Sequence, residues 1–147
     1  MILILTIPGD PISQPRQRHR VIPGKSFVHN YTPAKAPVND YKAAIRFAVA
    51  NQHKGGLIDV PVRVDCTFVF SRPKSHFGSG KNAGKLKEFA ALWHAKKPDR
   101  DNLDKALLDA LTQLGDFWRD DCQVCAGEIK KVYSDQAGAV VEIRSIA

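Results

Sequence analysis

No stretch of about 18 apolar residues occurs in this 147-residue chain, which leaves no candidate for a transmembrane helix. The opening Met1-Ile2-Leu3-Ile4-Leu5-Thr6-Ile7 has no basic segment before its apolar run, so it reads as a strand and not as a secretion signal. Cysteine is scarce. Cys66, Cys122 and Cys125 are too few for a disulfide framework, and a reducing cytoplasm, with no membrane partner, is the expected setting. The lone C-x-x-C at Cys122-Gln123-Val124-Cys125 has no second pair nearby to complete a zinc site. It falls at the start of an expected strand, where residues three apart face opposite sides, so its cysteines are read as structural. Acidic side chains are missing from two long stretches. None lies between Asp10 and Asp40, and Glu88 stands alone between Arg72 and Lys97. No internal repeat and no domain boundary is visible, so residues 1–147 are expected to form one domain.

The composition, 44% hydrophobic and 25% charged, is that of an ordinary soluble domain. A net charge of +7 points to a polyanionic partner, of which nucleic acid is the common one. Residues 1–8 and 26–32 read as strands. Residues 59–70 alternate apolar and polar and predict a clear strand. Tyr41, Ala44, Ile45, Ala48 and Val49 follow helical spacing, with Asn39 or Asp40 as the expected cap and an end near Gly55-Gly56. Leu86, Phe89, Leu92 and Trp93 suggest a short helix over 85–94. Leu103, Ala106, Leu107, Ala110, Leu111 and Leu114 make one apolar stripe, so 102–114 is the best helix, stopped by Gly115. Strands over 124–132 and 138–146 close the chain. The expected class is α+β, a mixed sheet packed with two main helices.

The acidic residues concentrate in one place. Asp99, Asp101, Asp104, Asp109, Asp116, Asp120 and Asp121 stand against Arg100, Lys105 and Arg119 within residues 99–121. Like charges held close repel, and a divalent cation removes the conflict. Mg²⁺ takes one or two carboxylates with waters and a phosphate. Singly, each aspartate has a structural explanation: Asp101 as a helix N-cap with Asp104 at N3, the others in loops or turns. Together they suggest more. Asp99 and Asp101 flank Arg100 in what reads as an extended segment, so both carboxylates can face one point. Asp120-Asp121 follow a helix and a short loop that can return to the same end of a sheet. Three carboxylates from two segments suit a metal-dependent phosphodiester hydrolase, and Lys105, one turn from Asp101, would steady charge on the phosphate. Arg16, Arg18 and Arg20 alternate on a Pro-rich loop and suit phosphate contacts. The basic stretch 71–98 is a second candidate DNA-contacting arm.

The segment Lys97-Pro98-Asp99-x-Asp101-Asn102-x-x-Lys105-Ala106-x-x-Asp109-Ala110-Leu111, followed by Trp118-x-Asp120-Asp121-x-Gln123-Val124, resembles the RusA family of Holliday-junction resolvases. The likeness is specific over 97–124 and looser across the rest, including Phe70-Ser71-Arg72-Pro73-Lys74-Ser75-His76. It implies a small homodimeric enzyme, of a kind that phages and prophages often carry, that cuts four-way double-stranded DNA junctions symmetrically with Mg²⁺, Mn²⁺ being the substitute. It places the catalytic carboxylates at Asp99, Asp101 and Asp121, with Asp120 an adjacent metal ligand and Lys105 the catalytic lysine. The expected DNA contacts are Arg16, Arg18, Arg20, Arg72, Lys74, His76 and Lys97. Two departures stand out. Residues 77–97 form a long insertion beside compact members, and Asp116 is an extra residue before Phe117-Trp118. The rival readings are a broader nuclease acting on flaps or RNA, and an inactive junction binder whose aspartates only cap and pack.

Overall fold

Alternating apolar residues from Val62 to Phe70 build the central strand of the molecule. The computed structural model describes residues 1–15, 18–26, 28–31, 33 and 35–146, the side chains of 18 and 28–31 excepted. The elements run β1 (Ile2–Pro8), β2 (Arg18–Val21), β3 (Val28–Tyr31), α1 (Pro37–Gln52), β4 (Val62–Ser71), α2 (Arg100–Thr112), β5 (Val124–Ala126), β6 (Ile129–Ser134) and β7 (Gly138–Ser145). β7 lies antiparallel to β4, pairing Ile143 with Val64 and Val141 with Cys66. β1 lies antiparallel on the outside of β7. The other edge of β4 is shared end to end by β5 and β6, both parallel to it. β2 and β3 form a separate antiparallel hairpin. The class is α+β, a mixed sheet with two helices in one small domain.

One face of the sheet carries the core. Val62, Val64, Cys66, Phe68 and Phe70 of β4 are buried, as are Leu5 and Ile7 of β1 and Val141 and Ile143 of β7. The apolar sides of both helices close over them, Tyr41, Ile45, Ala48 and Val49 from α1 and Leu103, Leu107, Ala110 and Leu111 from α2. Each Val, Leu, Ile or Phe among them contributes roughly 1.5–3 kcal/mol on leaving water. The helix starts differ from expectation. α1 begins at Pro37, whose fixed φ and missing N–H suit the first helical position, so Ala36 is the N-cap in place of Asn39 or Asp40. Asn39 instead donates its side-chain amide to the Pro33 carbonyl at 3.1 Å. The helix ends at Gln52, ahead of the glycine pair.

Two further corrections concern the sheet edge. The expected strand 124–132 is broken at Gly127, which has φ +157°, and a Cβ there would lie 1.9 Å from the Val64 carbonyl oxygen. No helix forms over 85–94. The Lys87–Ala90 turn interrupts it, and residues 92–94 extend the sheet beside β6, with the Tyr133 N–H donating to Leu92 and the His94 N–H to Lys131. A continuous sheet edge supplies those backbone groups with partners that an isolated helical turn would not.

The opposite sheet face is polar and open. Asp65 is its hub. It accepts hydrogen bonds from Arg63 at 2.7 Å, Arg144 at 3.0 Å and the Glu128 N–H at 2.8 Å. These contacts, the Arg63 bond first, hold its carboxyl at a pKa of about 2, against an ordinary 3.8. A depressed folded-state pKa stabilises the fold above the unfolded value and ceases to do so as pH falls through the folded one. We therefore expect the Tm of the wild type to drop between about pH 4 and pH 2, with part of that drop removed in Asp65→Asn. The variant should lose about 1–2 kcal/mol at neutral pH, since bonds to a charged partner go with it. Parallel pH profiles for the two proteins would refute the assignment.

Candidate active site

The end of the arm and the start of α2 present the first carboxylates. The Lys97–Pro98 peptide, directly before them, is cis. Asp99, and not Asp101, is the N-cap of α2, and its side chain makes no capping hydrogen bond. The segment around Arg100 is therefore not extended throughout: Arg100 opens the helix, and Asp101 sits exposed in its first turn, where the helix dipole favours an anion. Asp104 falls beyond N3. The Gln14 N–H donates to the Asn102 carbonyl at 3.0 Å, which brings the start of the basic N-terminal loop to this turn. Gln14 Oε1 is buried with no hydrogen-bond partner among the described residues. Lys105, 61% exposed, lies 3.5 Å from Asp109, one turn further on. Lys42 approaches the same carboxylate at 3.9 Å from α1. Burial lowers the Lys42 pKa, and Asp109 opposes that shift.

The second carboxylate segment is held from below. Gly115, with φ +78°, turns the chain after α2. Phe117 and Trp118 then enter the core with rings edge to face at 5.1 Å. The Trp118 indole donates to Thr112 Oγ1 at 2.8 Å, and the Ile58 N–H donates to the Phe117 carbonyl. Arg119 grips Asp59 through Nε and Nη2 of its guanidinium, at 2.6 and 2.8 Å. Gln123 fixes the turn. Its Oε1 accepts from the Arg119 and Asp120 N–H groups, and its Nε2 donates to the Ile58 and Val60 carbonyls. Asp120 caps the short 3₁₀ turn Asp121–Gln123 by accepting from the Cys122 N–H at 2.8 Å, and these bonds lower its pKa. Asp121 follows, half-buried and outside that cap.

The two segments meet at Asp104. Its carboxyl is half-buried, and its pKa is raised first by burial and then by the neighbouring Asp121 charge. Composition gave Asp104 only a capping role. The helical wheel held the missed signal, since Asp104 lies one turn from Asp101 and flanks the Leu107 and Leu111 stripe. Gln123 and the Arg119–Asp59 pair were also not legible, because their partners lie about 60 residues away. Among the described residues, no group of three or more His, Cys, Asp or Glu side chains is gathered tightly enough to hold a metal ion. Mg²⁺ needs only one or two protein carboxylates, with waters and phosphate completing its shell. The repelling pair Asp104 and Asp121, with the exposed Asp99 and Asp101 at the adjoining helix end, has the donor chemistry for that.

Other expected site residues divide. Arg16 and the side chain of Arg18 lie outside the described residues. Arg20, Lys74 and Lys97 are exposed. Arg72 and His76 are turned inward. Arg72 donates to the Ala91 carbonyl at 2.7 Å and lies over the Tyr133 ring at 6.0 Å, while the His76 ring meets Tyr133 edge-on at 4.8 Å. Cys122 and Cys125 are free and exposed, so they do not serve the core.

The profile of a family described as Endodeoxyribonuclease RusA matches residues 8–144. A Bacillus subtilis (strain 168) protein, named Uncharacterized protein YqaN, is 35% identical over 143 residues, which is 97% of this chain and 95% of that protein.

Proposed function

This chain belongs to the RusA endodeoxyribonuclease family and is thus a hydrolase acting on DNA; on that premise we propose that it resolves four-way junctions by paired symmetric nicks, as a Mg²⁺-dependent homodimer. The observation that carries the reading is the meeting of α2 and the Asp121 turn at Asp104, with basic chain arriving from both sides. A divalent cation bound there would supply polarisation of the phosphate, an activated water and stabilisation of the leaving oxygen. Asp99, Asp101 and Asp121 would hold it. Asp120 is adjacent, and its capping bond makes it the residue that sets the direction of Asp121. Lys105 stands one turn from Asp101, where its ammonium steadies negative charge on the phosphate. Asp109 keeps that ammonium on the same side of the helix.

Two copies match the substrate, because a junction is resolved only when two opposed strands are nicked and can itself take two-fold symmetry. The apolar side of α1 is used inside the chain, so it does not provide a dimer surface. β1 leaves Ile2 and Ile4 exposed, and these support a contact through the open sheet face. The test is a synthetic four-way junction labelled on each strand, incubated with Mg²⁺ or with EDTA. Symmetric nicks with Mg²⁺ and none with EDTA are expected. Equal cutting of flaps or RNA would favour the broader nuclease, and tight binding with no cutting in any divalent cation would refute the enzymatic reading. Sedimentation at micromolar concentration should give a dimer.

A further inference from the structure

The arm between Arg72 and Lys97 holds seven of the chain's 22 Lys and Arg and one of its 15 acids, so six of the seven net positive charges are in it. It is a built element. The Gly78 N–H donates to the Lys85 carbonyl and the Lys87 N–H to the His76 carbonyl, which fold the arm back on itself. Gly78 permits this closeness, since a Cβ there would lie 2.7 Å from Asn82. Both ends are pinned, by Arg72 on Ala91 and by the His94 ring stacked on Phe70 at 3.9 Å. Between these anchors, the turn closed by the Ala90 N–H on the Lys87 carbonyl presents Phe89 to solvent, 92% exposed. Lys85 and Lys87 precede it. Single exposed apolar residues are common, but a braced turn that holds an aromatic ring outward, with Lys85 and Lys87 against the single acid Glu88 in the chain before it, matches a surface for unstacked nucleic acid, where phosphates meet the cations and a base face meets the ring.

We propose that Phe89 is the branch-reading side chain of this enzyme: it stacks on a nucleobase left unstacked at a DNA branch, while Lys85 and Lys87 hold the flanking phosphates. Within a linear duplex every base face away from the two ends is already stacked, so along its length the ring has nothing to cover and only the lysines act. The arm thereby separates general affinity from preference for branched DNA. The inference rests on the junction reading above.

The test uses the full-length protein in EDTA, to prevent cutting, with a synthetic four-way junction carrying 2-aminopurine at the branch and a linear duplex of equal length. The wild type should prefer the junction and change the 2-aminopurine fluorescence. Phe89→Ala should weaken junction binding roughly 5- to 150-fold, the span base–aromatic stacking accounts for, lose the fluorescence change and bind linear duplex as before. Phe89→Trp should restore both. Lys85→Ala with Lys87→Ala should instead weaken both DNAs and lower the slope of log affinity against log salt by about 0.9 for each phosphate no longer neutralised. A junction preference and fluorescence change retained in Phe89→Ala would overturn this inference alone. A wild type with no preference for the junction would overturn it together with the junction reading.

Discussion

Asp101→Asn should stop DNA cutting while leaving junction binding in place. The residue is exposed in the first turn of α2 and makes no hydrogen bond that the core depends on. An amide of the same size keeps the helix, with a loss of about 0.3–1 kcal/mol from the weaker interaction with the helix dipole. It removes a negative charge that the proposed divalent cation would need. The loss of cutting should be at least about a hundredfold, the scale on which one charge-stabilising group in an active site acts. On the proposed reading, binding comes mostly from Lys and Arg on phosphate, supplied by the basic N-terminal segment and the arm. Cutting is read on a labelled junction and binding by gel shift on the same DNA. Loss of both, with circular dichroism unchanged, would count against this division of work.

Trp118→Ala should produce the largest loss of stability. The indole is 1% exposed, packs edge to face with Phe117 and ties the turn after α2 back to Thr112. Emptying such a site costs about 3–5 kcal/mol, a large share of the roughly 5–15 kcal/mol that holds a domain folded. The Tm should fall by roughly 6–20 °C for a chain of this size. The acidic turn stands on this residue, so cutting should weaken at temperatures where the variant is still folded. Trp93, 58% exposed, provides the contrast, and Trp93→Ala should shift the Tm little. Equal shifts for the two tryptophans would show that burial at Trp118 is not what holds the turn.

Strong periodicity was legible in the sequence wherever one face of an element meets the core. β4 alternates as its residues predict, and α2 buries the expected stripe. The helix bounds moved by two residues, and that shift put Asp99 at the cap and Asp101 inside the first turn. The failures came where distant chain decided the outcome. Leu86, Phe89, Leu92 and Trp93 have a near-helical spacing, but the edge of β6 takes up residues 92–94. Residues 124–132 lack any local stop except Gly127, and the reason for that glycine is the Val64 carbonyl on a strand about 60 positions earlier. The acidic cluster itself was plain from composition. Its internal division was not, because Asp120 is committed by a bond to its own turn and Asp104 by burial against another element.

The anchoring of the arm has a consequence for how such an enzyme can change over time. Its two ends leave and rejoin the sheet side by side, with Phe70 against His94 and Arg72 on Ala91. Chain inserted or removed between such neighbouring points alters the closure entropy only slowly, by about 0.6 kcal/mol for each doubling of length. The frame that carries the carboxylates therefore does not register how long the attachment is or what it displays. On the proposed role of the arm, substrate preference can drift by exchanging the attachment, while the chemistry stays on the same scaffold.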